Sequence, residues 1–130
     1  MTNIKGIGTD IVEIDRFKEA IERKGKSLLD RLFTEKEQQY CNKFKDPTIH
    51  LAARFAAKES VAKALGKGFG KTLSFLDIEI INDDTGKPNV YLSKKVIKEF
   101  KNPEILISIS HSKTHAIAFA TYCSSHNFSA

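Results

Sequence analysis

The sequence predicts a mixed α+β domain, a mainly antiparallel sheet packed on a long central helix, and three features carry that expectation. From Thr48 to Leu65 there is neither glycine nor proline and alanine recurs, which favours one long helix. Two β-rich segments near the end, ILISIS at 105–110 and HAIAFATY at 115–122, flank the polar HSKT, the pattern of an antiparallel hairpin. Helical and strand-like segments follow one another without a regular βαβ rhythm, and no repeat or low-complexity stretch interrupts them.

Taken in order, Ile4 to Ile14 mixes β-branched residues with Gly6 and Gly8 and reads as a strand. It sets Ile7, Thr9 and Ile11 on one face, Asp10 and Val12 on the other, and ends in acids. Asp15 then caps a helix, RFKEAIERK, in which Phe17, Ala20 and Ile21 recur at helical spacing until Gly25 stops it. Thr34 and Glu37 make a capping box for a third element running through Gln39 and Tyr40 towards Phe44, closed by Asp46-Pro47. In the long helix Leu51, Phe55, Ala62 and Leu65 form an apolar stripe, while Ala52, Ala53, Ala56 and Ala57 allow another backbone to pack closely. That places it at the centre of the domain, with Gly66, Gly68 and Gly70 ending it. Leu76 to Ile81 and Asn89 to Leu92 read as strands joined by the turn-rich NDDTGKP, and Ser93 caps a short helix, KKVIKEF, closed by Asn102-Pro103. Residues 1–123 are expected to form one domain and 124–130 a flexible tail.

The 130 residues suit a single hydrophobic core, and 41% hydrophobic with 28% charged residues is too apolar for a disordered chain and too charged for a membrane protein. No apolar run approaches the roughly 20 residues of a spanning helix, and MTNIKGIGTD lacks the layout of a signal peptide, so a cytoplasmic location is expected. Cys41 and Cys123 belong to no Cys/His cluster, which signals neither a zinc site nor a disulfide framework. A net charge of +5 favours anionic partners: nucleic acid, phosphorylated cofactors or an acidic protein. A nucleic-acid module would interleave exposed aromatics with its basic residues, and that pattern is missing.

The chemistry-bearing residues centre on RFAAKESVAKALGKG, Arg54 to Gly68. Glu59 and Lys63, four apart, share a helical face, as a solvated surface salt bridge also would. Arg54, Lys58, Lys63, Lys67 and Lys71 gather positive charge towards the glycine-rich exit, where phosphate oxygens can be met. GKGFGK lies at the C-terminal end of the helix, where the dipole opposes anions, so it is neither a P-loop nor a Rossmann turn and reads equally as a helix stop. Asp10, leaving the first strand, can meet Glu59 to bind an oxygen-loving cation such as Mg²⁺, or can simply belong with Glu13 and Asp15 to the start of the next helix. His111 follows a strand in SISHS, placed to contact phosphate or relay a proton. His115 and His126 carry no special assignment, and His50 marks the start of the long helix.

These stretches together resemble the holo-acyl-carrier-protein synthases, the small bacterial 4′-phosphopantetheinyl transferases. The resemblance runs in order through GIGTDIVEIDRF, LFTEKE, RFAAKESVAKALGKG, LDIEI, the TGKP turn and SISHSKTHAIAFA. It implies transfer of phosphopantetheine from coenzyme A to a serine of apo-acyl carrier protein for fatty acid biosynthesis, releasing adenosine 3′,5′-bisphosphate. By the same resemblance Asp10 and Glu59 bind Mg²⁺, and Lys63 neutralises charge on the transferred phosphate or its leaving group. Arg54 and His111 fall around the nucleotide phosphates, with Gly66 and Ser110 among the coenzyme-binding positions, and Gly86, Lys87 and Pro88 form a turn near the adenosine. The base that takes the serine proton is not identified; Glu59 and a water on the metal are the leading candidates, and Lys63 qualifies only with a strongly depressed pKa.

Carrier proteins of this kind are acidic, and the first helix offers Arg16, Phe17 and Arg23 as a docking face, with Arg16 the best single contact because it lies in the matching EIDRF. An ordinary amphipathic helix has the same composition. The resemblance further implies a homotrimer with active sites between subunits. Two positions depart from the family's usual pattern: Ser60 where alanine is common, and Lys67 where a small or hydroxylated residue is more usual.

Overall fold

The structure, a computed structural model, describes residues 3–124; the tail expected at 124–130 lies, apart from Ser124, outside the described residues. Strand β1 (Ile4–Glu13) runs directly into α1 (Ile14–Lys24), followed by α2 (Lys26–Leu32), α3 (Glu35–Cys41) and the long α4 (Pro47–Leu65). A 3-10 turn (Phe75–Asp77) leads into the hairpin β2 (Ile78–Asn82) and β3 (Pro88–Leu92), then α5 (Lys94–Phe100), β4 (Glu104–His111) and β5 (His115–Cys123). β5 lies between β1 and β4 in an antiparallel three-stranded sheet, and β2–β3 form a separate two-stranded antiparallel sheet. The expected class, antiparallel sheet on a long central helix, is the observed one.

Helix α4 starts and stops as its local chemistry dictates. The Asp46 side chain accepts from the Thr48 N–H at 3.2 Å and Pro47 occupies the first turn, while Gly66 closes the helix at φ 75°. Instead of an apolar stripe with a solvated back, burial extends nearly all round the helix and includes Arg54, Lys58 and Ser60. One core cluster joins it to β2, α5 and β5, the other to α1, α2 and α3.

Gly6 and Gly8 make this close packing possible. A Cβ at Gly6 would collide with the Ala64 carbonyl oxygen, and one at Gly8 with the Ser60 carbonyl oxygen and, at 2.8 Å, the Ala64 nitrogen. The small side chains of Ala116, Ala118 and Ala120 on β5 are buried alongside. The opposite face of the sheet is apolar and exposed: Ile7 is 64% exposed and Ile11 66%, with Leu106, Ile117 and Phe119 on the same side.

Three local expectations differ from the structure, the first being that Leu76 and Asp77, read as strand, belong to the 3-10 turn and β2 begins at Ile78. The α1 N-cap is Glu13, with no side-chain cap bond, so Asp15 sits inside the first turn where its charge suits the helix dipole. Residues 26–32 form α2, because Gly25 at φ 66° turns the chain sharply enough to end one helix and begin another. The caps behave as expected: the Thr34 and Glu37 capping box opens α3, and Ser93 accepts from the Val96 N–H to open α5.

Candidate functional site

Asp10 projects from the β1 face that packs on α4, and Glu59 from α4 faces the same cleft, a space of about 630 Å³ also lined by Glu13, Arg16, Phe17 and Arg23. Burial pushes the Glu59 carboxyl up from its ordinary value and the Asp10 charge adds to the effect, against the pull of Lys63. One turn beyond Glu59, Lys63 donates from Nζ to the Thr9 carbonyl oxygen at 3.0 Å and lies 3.3 Å from Asp10 Oδ1. Its side chain is 54% exposed, free to move towards a ligand. The structure therefore brings together Asp10, Glu59 and Lys63 as one constellation.

Two carboxylates from different elements, one of them reluctant to ionise in isolation, suit a hard cation that takes its remaining ligands from water and phosphate oxygen. Among the described residues no three His, Cys, Asp or Glu side chains are placed to hold a metal ion together, so nothing resembles a closed zinc-type cage.

Arg16 and Arg23 line this same cleft with Glu19 between them, placing two guanidinium groups of α1 at the edge of the carboxylate pair. Phe17 needs a correction as a surface contact. It is 7% exposed, its ring packed 5.4 Å from that of Phe55 and 6.3 Å from that of Phe33, so it chiefly anchors α1 to the core.

A second cleft of about 330 Å³ collects Arg54, Gly86, Pro88 and His111, together with Tyr40, His50 and Asn82. Arg54 is 3% exposed, donates from Nη2 to Asn82 Oδ1 and stacks its guanidinium 4.3 Å from the Tyr40 ring centre, yet its Nε has no partner. A buried, unpartnered cationic donor at a cleft is what an anion would satisfy. The β2–β3 turn is held by Asp83, whose Oδ1 accepts from the N–H groups of Thr85 and Lys87, and Gly86 adopts φ 89°.

Arg54 and Glu59 are five residues apart on α4, about 140° around the helix, so they serve different clefts. Ser110 lies on the outer face of the sheet, in register with Ile117, and lines neither cleft. Gly66 uses its N–H to cap α4 through the Lys63 carbonyl, and Lys67 pairs with Glu99 at 2.7 Å. Lys58 does not join the expected positive run towards phosphate. It is fully buried, 2.5 Å from Glu37 Oε1, and donates to the carbonyls of Leu32 and Phe75.

Tyr40, His50 and Asn82 were not singled out by sequence reasoning as site residues. Tyr40 and His50 look like ordinary helix residues, and Asn82 like the start of a turn; only the packing of α3 against α4 and of the β2–β3 hairpin beside them brings the three to Arg54.

Residues 6–120 match the model of the 4′-phosphopantetheinyl transferase superfamily. The chain is 51% identical to the holo-[acyl-carrier-protein] synthase of Protochlamydia amoebophila, over 92% of this chain and 98% of the relative, and 52% identical to that of Clostridium botulinum strain Alaska E43, over 90% and 95%. Among solved structures it is similar to the Bacillus anthracis holo-(acyl-carrier-protein) synthase in complex with CoA (3′,5′-ADP), at TM-score 0.81, 39% identity and coverage of 96% of this chain and 100% of that one. It is likewise similar to the Helicobacter pylori enzyme in complex with coenzyme A, at TM-score 0.81 and 38% identity, covering 89% of this chain and 98% of that one.

Proposed function

This chain belongs to the 4′-phosphopantetheinyl transferase superfamily, among the holo-[acyl-carrier-protein] synthases, and from that premise we propose that it moves phosphopantetheine from coenzyme A to a serine of apo-acyl carrier protein. The observation that carries the reading is the Asp10, Glu59 and Lys63 constellation opening beside Arg16 and Arg23, a phosphoryl-transfer site at the foot of a basic helix. The products are holo-carrier protein and adenosine 3′,5′-bisphosphate, and the setting is fatty acid biosynthesis.

In this reading the serine oxygen attacks the β-phosphorus of coenzyme A, the bond from that phosphorus to the bridging pyrophosphate oxygen breaks, and the nucleotide departs with the electron pair. Asp10 and Glu59 hold Mg²⁺, whose charge when bound offsets that of the pyrophosphate. Lys63, exchanging its contact with Asp10 for a phosphate oxygen, counters the charge that develops on the leaving group. Glu59 is the leading candidate of this chain to receive the serine proton, through a carboxylate oxygen that the cation leaves free. Arg54 and His111 meet nucleotide phosphates in the second cleft, against the Gly86–Pro88 turn, and Arg16 and Arg23 draw in the acidic carrier.

We further propose a homotrimer whose active sites lie between subunits. Arg54 and Glu59 point to different sides of α4, so one coenzyme A molecule reaches both kinds of residue most directly across two chains. The exposed apolar face of β1, β5 and β4 supplies a surface that a second copy would cover, and Ser110 lies on that face. No described helix is long and apolar enough to cross a membrane, and a cytoplasmic setting suits the two free, buried thiols Cys41 and Cys123.

Incubating the protein with coenzyme A, Mg²⁺ and an apo-acyl carrier protein, then weighing the carrier by mass spectrometry, tests the function. The carrier should gain one phosphopantetheine in a magnesium-dependent manner. An unchanged carrier mass, with the same carrier modified by a control transferase, overturns the reading.

A further inference from the structure

The Arg54 cleft contains a pair of rings that the transfer chemistry leaves without a task. His50, in the first turns of α4, stacks on Phe44 with centroids 3.6 Å apart and planes at 18°. Its ring stands edge-to-face with His111 of β4, centroids 6.1 Å apart. Both histidines line the cleft with Arg54, Tyr40 and Asn82. The groups facing His50 are His111, Arg54 on its own helix, Asp46 at the helix cap and the Tyr40 phenol from α3. A single carboxylate thus stands against one fixed cation and a second titratable imidazole.

That imbalance has a consequence for an anionic ligand. In the free protein, burial first, then the neighbouring His111 and Arg54, hold the His50 imidazole below its ordinary pKa, with Asp46 opposing. The ring is then a neutral stacking partner of Phe44 at pH 7. A phosphate monoester, carrying close to two negative charges near neutrality, reverses the field when it enters beside Arg54. We propose that His50 is a nucleotide contact that takes up a proton as a phosphate monoester enters this cleft, so that ligand binding and His50 protonation are coupled. The inference rests on the placement of the nucleotide phosphates in the Arg54 cleft. It assigns to His50 a role separate from metal binding and transfer, that of making nucleotide capture tighter as pH falls.

The test titrates 3′,5′-ADP into the intact protein at pH 6.5 in buffers of different ionisation enthalpy, which counts protons exchanged on binding. The parent should take up more protons than His50→Phe, which keeps a ring on Phe44 but cannot titrate, by up to roughly half a proton for a pKa rise of about one unit. Comparing the two cancels protons contributed by the ligand's own phosphates. Histidine ring NMR should show the His50 resonance, identified as the one missing from His50→Phe, moving to higher pKa on saturation with 3′,5′-ADP, equivalent to about tenfold tighter binding of the protonated form. Saturable binding with no rise in the His50 pKa overturns the coupling and leaves the nucleotide placement standing. Absence of 3′,5′-ADP binding overturns both.

Discussion

Lys63 reaches back to β1 so that its Nζ lies 3.3 Å from Asp10 Oδ1 and 3.0 Å from the Thr9 carbonyl oxygen. The ammonium thereby occupies the carboxylate that a bound cation needs, and the two compete for Asp10. Lys63→Met should lower turnover by about a hundredfold or more, through loss of charge stabilisation at the leaving group. The same change should tighten Mn²⁺ binding measured without coenzyme A, because Asp10 is released. Weaker Mn²⁺ binding in Lys63→Met would show that Lys63 supports the cation site instead of competing for it.

Glu59 gives a pH-dependent signature. Its pKa is raised above the ordinary 4.5 by burial and by Asp10, so the folded state holds the proton more tightly than the unfolded chain does. A carboxyl shifted upward favours folding while protonated, and that contribution is lost as pH rises through the folded-state pKa. Glu59→Gln should therefore melt at a higher temperature than the parent at pH 7, with the gap closing as pH falls below about 4.5, where both states of the parent are protonated. Millimolar Mg²⁺ should narrow the gap at pH 7 by stabilising the parent preferentially. Thermal melts at pH 4 and 7, with and without Mg²⁺, decide it; an equally stabilised variant at both pH values would remove the electrostatic explanation.

The legibility of this molecule in its sequence follows the range of the interactions. α4, the β4–β5 hairpin and the Thr34 and Ser93 caps depend on neighbours a few residues away, and they form as the local pattern predicts. Asp10 and Glu59 were connected by chemistry and by resemblance, since spacing on a helix says nothing about a distant strand. Lys58 reads as one more surface cation in the sequence because its partner, Glu37, becomes adjacent only when α3 folds against α4. Gly6 and Gly8 read only as part of a strand in the sequence, whereas they are the clearance α4 requires. His50, Tyr40 and Asn82 depend on three separate elements meeting, which no one-dimensional period records.

That clearance makes β1 intolerant of a methyl group. Gly8→Ala places a Cβ against the Ser60 carbonyl, the Ala64 nitrogen and, at 2.9 Å, the Lys63 Cβ, none of which can yield without shifting the buried helix. The expected cost is about 1–3 kcal/mol, typical of overpacking. Urea unfolding should show a lower midpoint at unchanged slope. Because the displaced turn carries Lys63, turnover of the folded fraction should also fall, whereas Gly68→Ala, whose Cβ meets nothing within 4 Å, should leave stability nearly unchanged.

The outer sheet face offers a test of assembly separate from catalysis. Ile11 and Phe119 are exposed on that face, and Phe119 is in register with Thr9 between β1 and β4. Phe119→Lys should leave the fold intact by circular dichroism but shift the protein from trimer to monomer in sedimentation, since an ammonium buried in an apolar interface is costly. Turnover should fall with the trimer fraction and recover as protein concentration rises. A monomeric parent in sedimentation would overturn the trimer proposal directly.

The Lys58–Glu37 pair should behave as a buried clasp. Lys58 Nζ ties Glu37 to the carbonyls of Leu32 and Phe75, while Glu37 Oε1 and Oε2 also accept from the Thr34 and Ile80 N–H groups at 2.9 and 2.8 Å. Lys58→Met leaves a carboxylate uncompensated in the core and should cost about 3–5 kcal/mol. Adding Glu37→Gln to that variant removes the stranded charge while the amide oxygen still accepts one N–H, so the double variant should regain part of the loss. Glu37→Gln alone, which strands the ammonium, should destabilise the parent. Urea unfolding of all four proteins yields the coupling. Simple additivity of the two losses would mean that the pair contributes through packing and not through charge.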